Sequence, residues 1–233
     1  MNKFNKFSLI IPCFNEEKTL RECVERVIDL DFYGMDLELV IIDDFSTDTS
    51  FEIGQKLSSE YNNVQVFRHD KNYGKGAAIR TALGKINGDI IGIQDADLEY
   101  DPLDLVKLVK PIIDGKADVS LGSRYLTTER RRVLYFWHSL ANKFLTILSN
   151  MVTDLNLTDM ETCYKVFTKE ALEGIDIEEN RFGFEPEIIS KIAAKKMKVF
   201  EMGISYEGRT FDEGKKIGAR DALQAILCIV KYG

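Results

Sequence analysis

Gly88-Asp89-Ile90-Ile91-Gly92-Ile93-Gln94-Asp95-Ala96-Asp97-Leu98-Glu99 is the stretch on which the reading of this chain turns. Ile90 to Ile93 is an apolar run of strand length, which predicts a short buried strand. It stops at Asp95 and Asp97, with Glu99 two positions on. Carboxylates at alternate positions past a strand end can converge on one point, and such hard oxygen donors suit Mg²⁺ or Mn²⁺. A divalent cation held by two or three carboxylates usually carries a phosphorylated substrate in its remaining positions. The stretch therefore points to a metal-held diphosphate at a strand's carboxyl end. Taken alone, Asp95-Ala96-Asp97 reads more simply as an acidic turn, with Asp101-Pro102 capping the next helix, so the flanking sequence decides.

Outward from this point the same pattern repeats. Phe7 to Ile11, Leu37 to Ile42, Val64 to Phe67 and Val119 to Leu121 are further apolar runs of strand length. Between them lie helical patterns: one capped by Asn15 with Leu20, Val24, Val27 and Ile28 at helical spacing, one over 49–60, and one opened by Asn72-Tyr73-Gly74-Lys75-Gly76. Continuous apolar strands alternating with helices define an α/β fold with a mostly parallel sheet, which binds ligands beyond the carboxyl ends of its strands. Polar clusters fall at those ends repeatedly: Asn15-Glu16, Asp43-Asp44, His69-Asp70 and Asp95-Asp97. One acidic turn is easily chance; the repetition is not. After Arg124 the character changes, with Arg130-Arg131-Arg132, a long apolar-faced helix over 133–152, strands expected at 164–167 and 199–204, and a basic patch leading into an apolar helix over 221–232.

The bulk numbers bound the function. A chain of 233 residues, 45% hydrophobic with only 4 prolines, fits one globular unit with a C-terminal appendage. A formal net charge of −7 argues against a nucleic-acid binder. The 4 cysteines are scattered without C-x-x-C spacing and read as reduced thiols of a cytoplasmic protein. The opening apolar run is too short for a signal peptide, and no stretch reaches the roughly 18 apolar residues of a membrane span. His69 and His138 lack metal spacing and read as packed histidines.

Ile10-Ile11-Pro12-Cys13-Phe14-Asn15-Glu16-Glu17, Val40-Ile41-Ile42-Asp43-Asp44-Phe45-Ser46-Thr47-Asp48, Gly74-Lys75-Gly76-Ala77-Ala78 and Asp95-Ala96-Asp97, taken together, resemble family 2 glycosyltransferases, most nearly the dolichyl- or polyprenyl-phosphate mannosyl- and glucosyltransferases. Gly122-Ser123-Arg124, Asp159 to Lys165, Phe182 to Glu187 and Arg209 to Lys216 follow in the family's order. The resemblance implies the GT-A nucleotide-diphospho-sugar transferase fold, inversion at the anomeric carbon and a divalent metal. It implies a catalytic domain over about 1–210, with a donor half over about 7–124 and an acceptor half over about 125–210, and then a basic, apolar helical segment over 211–233.

Residue by residue, the resemblance assigns the nucleotide to Pro12, Phe14 and Glu16 of the first loop and to Ile42 and Asp44 of the second, with Asp43 supporting Asp44 or the same nucleotide. Lys75, in its glycine-flanked turn, is placed near the diphosphate. Asp95, Ala96 and Asp97 bind the donor; Asp95, Asp97 and Glu99 hold the metal. Arg124, Arg209 and Lys215 match basic positions around the donor and acceptor phosphates, where a guanidinium fork can bond two oxygens at once. Arg130 to Arg132 could serve the acceptor or anionic lipid, or form a solvated face. Some relatives carry a lysine in the acceptor loop where this chain has Gly183. A hydroxyl acceptor needs a general base, for which Glu185 and Glu187 are the nearest candidates and Glu187 the choice; with Asp97 and Arg124 it completes the expected catalytic set. An anionic polyprenyl phosphate needs none.

The expectation is thus an inverting, metal-dependent hexosyltransferase. It moves glucose or mannose from a UDP- or GDP-sugar to a polyprenyl phosphate at the cytoplasmic membrane face. The 134–152 and 222–230 helices are the candidates for membrane contact, with most of their apolar area expected to pack on the sheet and part of one left open. Rival readings keep the donor chemistry with a saccharide or other hydroxyl acceptor, or make the chain a non-catalytic binding module. A sugar-1-phosphate nucleotidyltransferase would want a glycine-rich basic loop where this chain has Pro12-Cys13-Phe14-Asn15-Glu16-Glu17.

Overall fold

The computed structural model describes residues 4–126, 132–209 and 219–233, with only the backbone described at 219–221. Strands β1 (Lys6–Cys13), β2 (Asp36–Asp43), β3 (Val64–Arg68), β4 (Ile90–Ile93) and β5 (Val119–Ser123) alternate with helices α1 (Leu20–Ile28), α2 (Ser50–Glu60), α3 (Lys75–Leu83) and α4 (Leu103–Ile113). Helix α5 (Phe136–Thr153), strand β6 (Lys165–Thr168), the short α6 (Lys169–Leu172), α7 (Phe184–Ala194), β7 (Val199–Gly203) and α8 (Ala219–Tyr232) complete the chain. The strands form one seven-stranded sheet in the order β3-β2-β1-β4-β6-β5-β7. Every pairing is parallel except those of β6, which runs antiparallel to both β4 and β5. This is the mostly parallel GT-A sheet flanked by helices that the sequence predicts.

The apolar runs explain the layering. All four residues of β4 and nearly all of β1 are buried, because helices cover both faces of a parallel sheet. The register then fixes where the polar ends fall. Cys13 pairs with Asp43, and Ile10 with Ile93. The loops after β1, β2 and β4 consequently emerge side by side at one edge. Because β6 is reversed, the turn leading into it, over 159–164, arrives at that same edge between the ends of β4 and β5.

The helices after β5 depart from expectation. Helix α5 packs on α7 and α8 rather than on the sheet, and buries only Leu145, Thr146 and Ser149. Phe136, Trp137 and Met151 are 69%, 73% and 76% exposed, and Leu223, Leu227 and Val230 of α8 are also open. More apolar surface is therefore uncovered, on both helices, than the sequence pattern suggests. No helix among the described residues is long and apolar enough to cross a membrane. All four cysteines are free and buried.

Candidate active site at the carboxyl edge of the sheet

The first two loops are knitted together by their own polar side chains. Asn15, at φ 54°, accepts hydrogen bonds from Thr47 N (2.8 Å), while Asn15 N donates to Ser46 Oγ (2.9 Å) and Glu16 N to Ser50 Oγ (2.8 Å). Asn15 does not cap α1, whose first residue is Leu20; a left-handed asparagine ties loop to loop instead. Pro12 and Phe14 are half-buried at this edge. Ile42 is fully buried, so its side chain supports the loop from behind rather than facing a ligand. Asp43 accepts from Ser46 N (3.2 Å) and pairs with Arg68 (3.3 Å), but its Oδ1 is enclosed with no hydrogen-bond partner among the described residues. Asp44 accepts from Tyr73 N (2.9 Å) and Gly74 N (2.6 Å) and meets His69 Nδ1 at 2.7 Å. It fixes the turn that carries Lys75. The imidazole is held on its other side by Thr81, at 2.9 Å, as a packed histidine.

The glycines around Lys75 are needed by the chain itself. Gly74 has φ 102°, and a Cβ there falls 2.5 Å from Asn180 O; one on Gly76 falls 2.3 Å from Glu179 O. The 179–181 backbone passes where the sequence reading places a diphosphate's close approach. Gly76→Ala is expected to destabilise the fold by about 2 kcal/mol, because backbone cannot move aside as a flexible side chain can. A melting temperature within 1 °C or so of wild type counts against this packing. Lys75 Nζ lies 3.0 Å from Asp95 and 3.2 Å from Glu185. Burial pulls this ammonium down, but Asp95 foremost, with Glu185, holds it well above the usual lysine range.

Asp97 and Glu99 face a different cation. Their loop turns at Leu98, in the left-handed region at φ 61°, a conformation that costs a branched residue about 1–2 kcal/mol. Glu99 N bonds Asp97 Oδ1 at 3.1 Å. The Arg209 guanidinium then contacts Asp97 (2.7 Å), Glu99 (3.2 Å) and Glu16 (3.1 and 3.2 Å), and its backbone N–H donates to Glu99 at 2.9 Å. Arg209 is delivered here by a strand-like return: Tyr206 bridges Tyr100, Glu207 N bonds Glu99 O (2.9 Å), and Tyr206 Oη donates to Glu99 (2.7 Å). Burial, then Asp95 and Glu99, pushes the Asp97 carboxyl up despite Arg209. Three carboxylates from two loops thus share one positive group.

The expected Asp95-Asp97-Glu99 metal triad is therefore divided, with Asp95 committed to Lys75. Among the described residues no group of three histidine, cysteine or acidic side chains is arranged to hold a metal ion. What remains does fit one. Asp97 and Glu99 are crowded hard-oxygen donors that already bind a cation in common, and Mg²⁺-type sites often use one or two carboxylates with phosphate oxygens completing the shell. Ala96, between Asp95 and Asp97 in the chain, is buried.

On the other side of the edge, Arg124 makes a two-pronged ion pair with Asp159, Nε and Nη2 each at 2.7 Å, while its backbone N–H donates to the same carboxylate (3.0 Å). Asn142 of α5 completes the cluster, donating to Asp159 at 3.0 Å. The guanidinium sits 5.2 Å from the centre of the Tyr206 ring. Neither glutamate nominated as a base stands open. Glu187 is fully buried, accepting from Glu178 N (2.7 Å), Glu179 N (2.9 Å) and Lys191 (2.6 Å); it anchors the loop before α7. Glu185 is buried between Lys75 and Lys165. Lys215, Arg130 and Arg131 lie outside the described residues, and Arg132 donates to Gly208 O at 3.1 Å.

Sequence reasoning missed Asp159, Lys165 and Tyr206 as working parts of this edge. The 159–165 segment shows an acid and a lysine flanking a strand start, but their partners, Arg124 and Glu185, lie elsewhere in the chain, so no local spacing marks them. The sheet order, with one reversed strand and the loops gathered at one edge, defines an α/β protein of the GT-A type. The model of glycosyl transferase family 2 matches residues 8–176, and the chain belongs to that family. It is 31% identical over 215 residues to a dolichol-phosphate mannosyltransferase of Pyrococcus furiosus, covering 91% of this chain and 60% of that protein. It is 25% identical over 215 residues to an undecaprenyl-phosphate 4-deoxy-4-formamido-L-arabinose transferase of Proteus mirabilis, covering 91% of this chain and 63% of that one. The chain thus spans about three-fifths of the length of these two relatives. Among solved structures, glucosyl-3-phosphoglycerate synthase from Mycobacterium tuberculosis, in complex with Mn²⁺, UDP and glucosyl-3-phosphoglycerate, superposes with a TM-score of 0.74 at 18% identity, over 98% of this chain and 80% of that one, a likeness of fold.

Proposed function

We propose that this chain transfers a hexose, glucose or mannose, from a UDP- or GDP-linked donor to a polyprenyl phosphate, with inversion and with Mg²⁺ or Mn²⁺ on the donor diphosphate. The observation that carries the reading is the convergence of Glu16, Asp97 and Glu99 on one cation beside the loops of β1 and β2. The names of the two relatives supply the acceptor class, and the solved neighbour was crystallised with Mn²⁺ and UDP.

In this reading the nucleotide lies along Pro12, Phe14 and Glu16, and the enclosed Asp43 Oδ1 is the free acceptor for a base N–H. Asp97 and Glu99 would hold the divalent cation, which when bound would neutralise charge developing on the departing nucleoside diphosphate. Arg209, released from the carboxylates, turns its fork to the phosphates. The acceptor's phosphate oxygen attacks the anomeric carbon from the side opposite the diphosphate. The carbon–oxygen bond to the diphosphate breaks, and its electron pair leaves with the nucleoside diphosphate. No proton has to be removed, in keeping with the enclosure of Glu185 and Glu187. The open apolar faces of α5 and α8 rest against the cytoplasmic membrane face that presents the lipid.

The test is transfer of radiolabelled hexose from UDP-glucose and GDP-mannose into organic-extractable polyprenyl phosphate. One donor is expected to give product in the presence of Mn²⁺ or Mg²⁺ and none with chelator. Sugar appearing only on water-soluble hydroxyl acceptors would replace the lipid-phosphate reading.

A further inference from the structure

We propose that Glu161 is an acceptor-binding residue whose carboxyl group donates a hydrogen bond to a phosphate oxygen of the acceptor. The inference rests on the phosphate-acceptor reading above and adds a residue that reading does not use. Glu161 belongs to the turn before the reversed strand β6, and so lies at the ligand edge of the sheet. Within that turn Cys163 N donates to Tyr100 Oη at 3.3 Å, and Tyr164 Oη donates to Gln94 at 2.6 Å, which sets it against the Gln94–Asp97 loop.

The surroundings supply charges that are already spoken for. Arg124, at the end of β5, is paired with Asp159. Lys165, at the start of β6, is paired with Glu185 of α7 and also donates to Met160 O (3.2 Å) and Thr162 O. Arg124 balances Asp159, and Lys165 with Lys75 balances Glu185 and Asp95, so Glu161 is the odd charge, with no cation of its own among the described residues. Its Oε1 is enclosed without a hydrogen-bond partner among the described residues, although the side chain as a whole keeps some exposure. Burial first, then the Glu185 charge, pushes this carboxyl up to about 7, against the opposing pull of Lys165 and Arg124. In its protonated form this carboxyl is a donor, and the group it suits best is an anionic oxygen. An ionised Glu161 would instead repel a phosphate.

The sign of the pH dependence follows. The proton is present below about pH 7 and favours the acceptor; it is lost above, and binding weakens. The probe is farnesyl phosphate, titrated calorimetrically into the intact chain at pH 7.0 and 8.5. For wild type the Kd is expected to rise about tenfold across that interval. At pH 8, in buffers of different ionisation enthalpy, binding is expected to take up close to one proton, an uptake that is lost in Glu161→Gln.

Glu161→Gln keeps a donor that does not titrate. It is expected to flatten the pH profile and to bind farnesyl phosphate more tightly than wild type at pH 8.5. An unchanged pH profile in Glu161→Gln, or no proton uptake by wild type, overturns the inference alone. So does collapse of kcat at unchanged acceptor affinity, which would make Glu161 a base. Failure of wild type to bind farnesyl phosphate at either pH overturns the phosphate-acceptor reading, and the inference with it.

Discussion

Asp97→Asn is expected to lower hexosyl transfer by about a thousandfold or more while leaving the melting temperature of the ligand-free protein nearly unchanged. In the ligand-free protein Asp97 is crowded by Asp95 and Glu99, and Arg209 still holds Glu16 and Glu99 when it is gone. The fold therefore loses little. The reaction loses one of the two carboxylates that would hold the cation, and electrostatic groups aimed at developing charge typically contribute 10²–10³ in rate each, as an order of magnitude. Removing the cation as well compounds the loss. The variant should also lose the metal-dependent part of nucleotide binding. Comparable kcat in Asp97→Asn and wild type, measured with saturating donor and Mn²⁺, would remove Asp97 from the site.

The second large effect is on stability. Lys165→Met is expected to destabilise the protein by about 3–5 kcal/mol, because it leaves Glu185 short of a partner in a site closed to bulk solvent. The Lys165 side chain is 0% exposed and that of Glu185 3%. In a chain of this size each kcal/mol moves the melting temperature by about 2–4 °C, so a drop of about 10 °C is expected. The chain of charges runs on through Glu185 to Lys75 and Asp95, so the loss reaches the donor loop. Glu185→Gln alone should cost a similar amount, and the double variant Lys165→Met/Glu185→Gln less than the sum, since the two share one interaction. Simple additivity of the two single changes, measured by denaturant unfolding, would show that the pair is not coupled.

What the sequence conveyed follows from what its local patterns encode. Each parallel strand was legible because it is buried on both faces and so reads as an unbroken apolar run, as in Ile90–Ile93. The convergence of Glu16, Asp43, Asp44 and Asp97 on one edge followed from that topology. Strand direction was not legible in the same way. Residues 165–168 read as a strand, but nothing local says that it enters the sheet reversed between β4 and β5, the feature that brings 159–164 to the ligand edge. Helix α7 was missed because its first turn buries Glu185, Pro186 and Glu187, which breaks the apolar periodicity. The capture of Glu16, Asp97 and Glu99 by Arg209 is a contact across most of the chain, and no spacing announces it. The exposed faces of α5 and α8 were overestimated as core because amphipathic spacing shows that a face is apolar, not what covers it.

The central claim is that a nucleoside diphosphate and a divalent cation bind together at the Glu16–Asp97–Glu99 cluster. Its most direct test is the melting temperature of the full chain with UDP or GDP, each with and without Mn²⁺. A ligand at about a hundred times its Kd stabilises the folded state by about 2.7 kcal/mol, a shift of several degrees. The expected result is an upward shift with one of the two nucleotides that requires Mn²⁺ and is absent in Asp97→Asn. No shift with either nucleotide, or the same shift without metal and in the variant, would contradict the account.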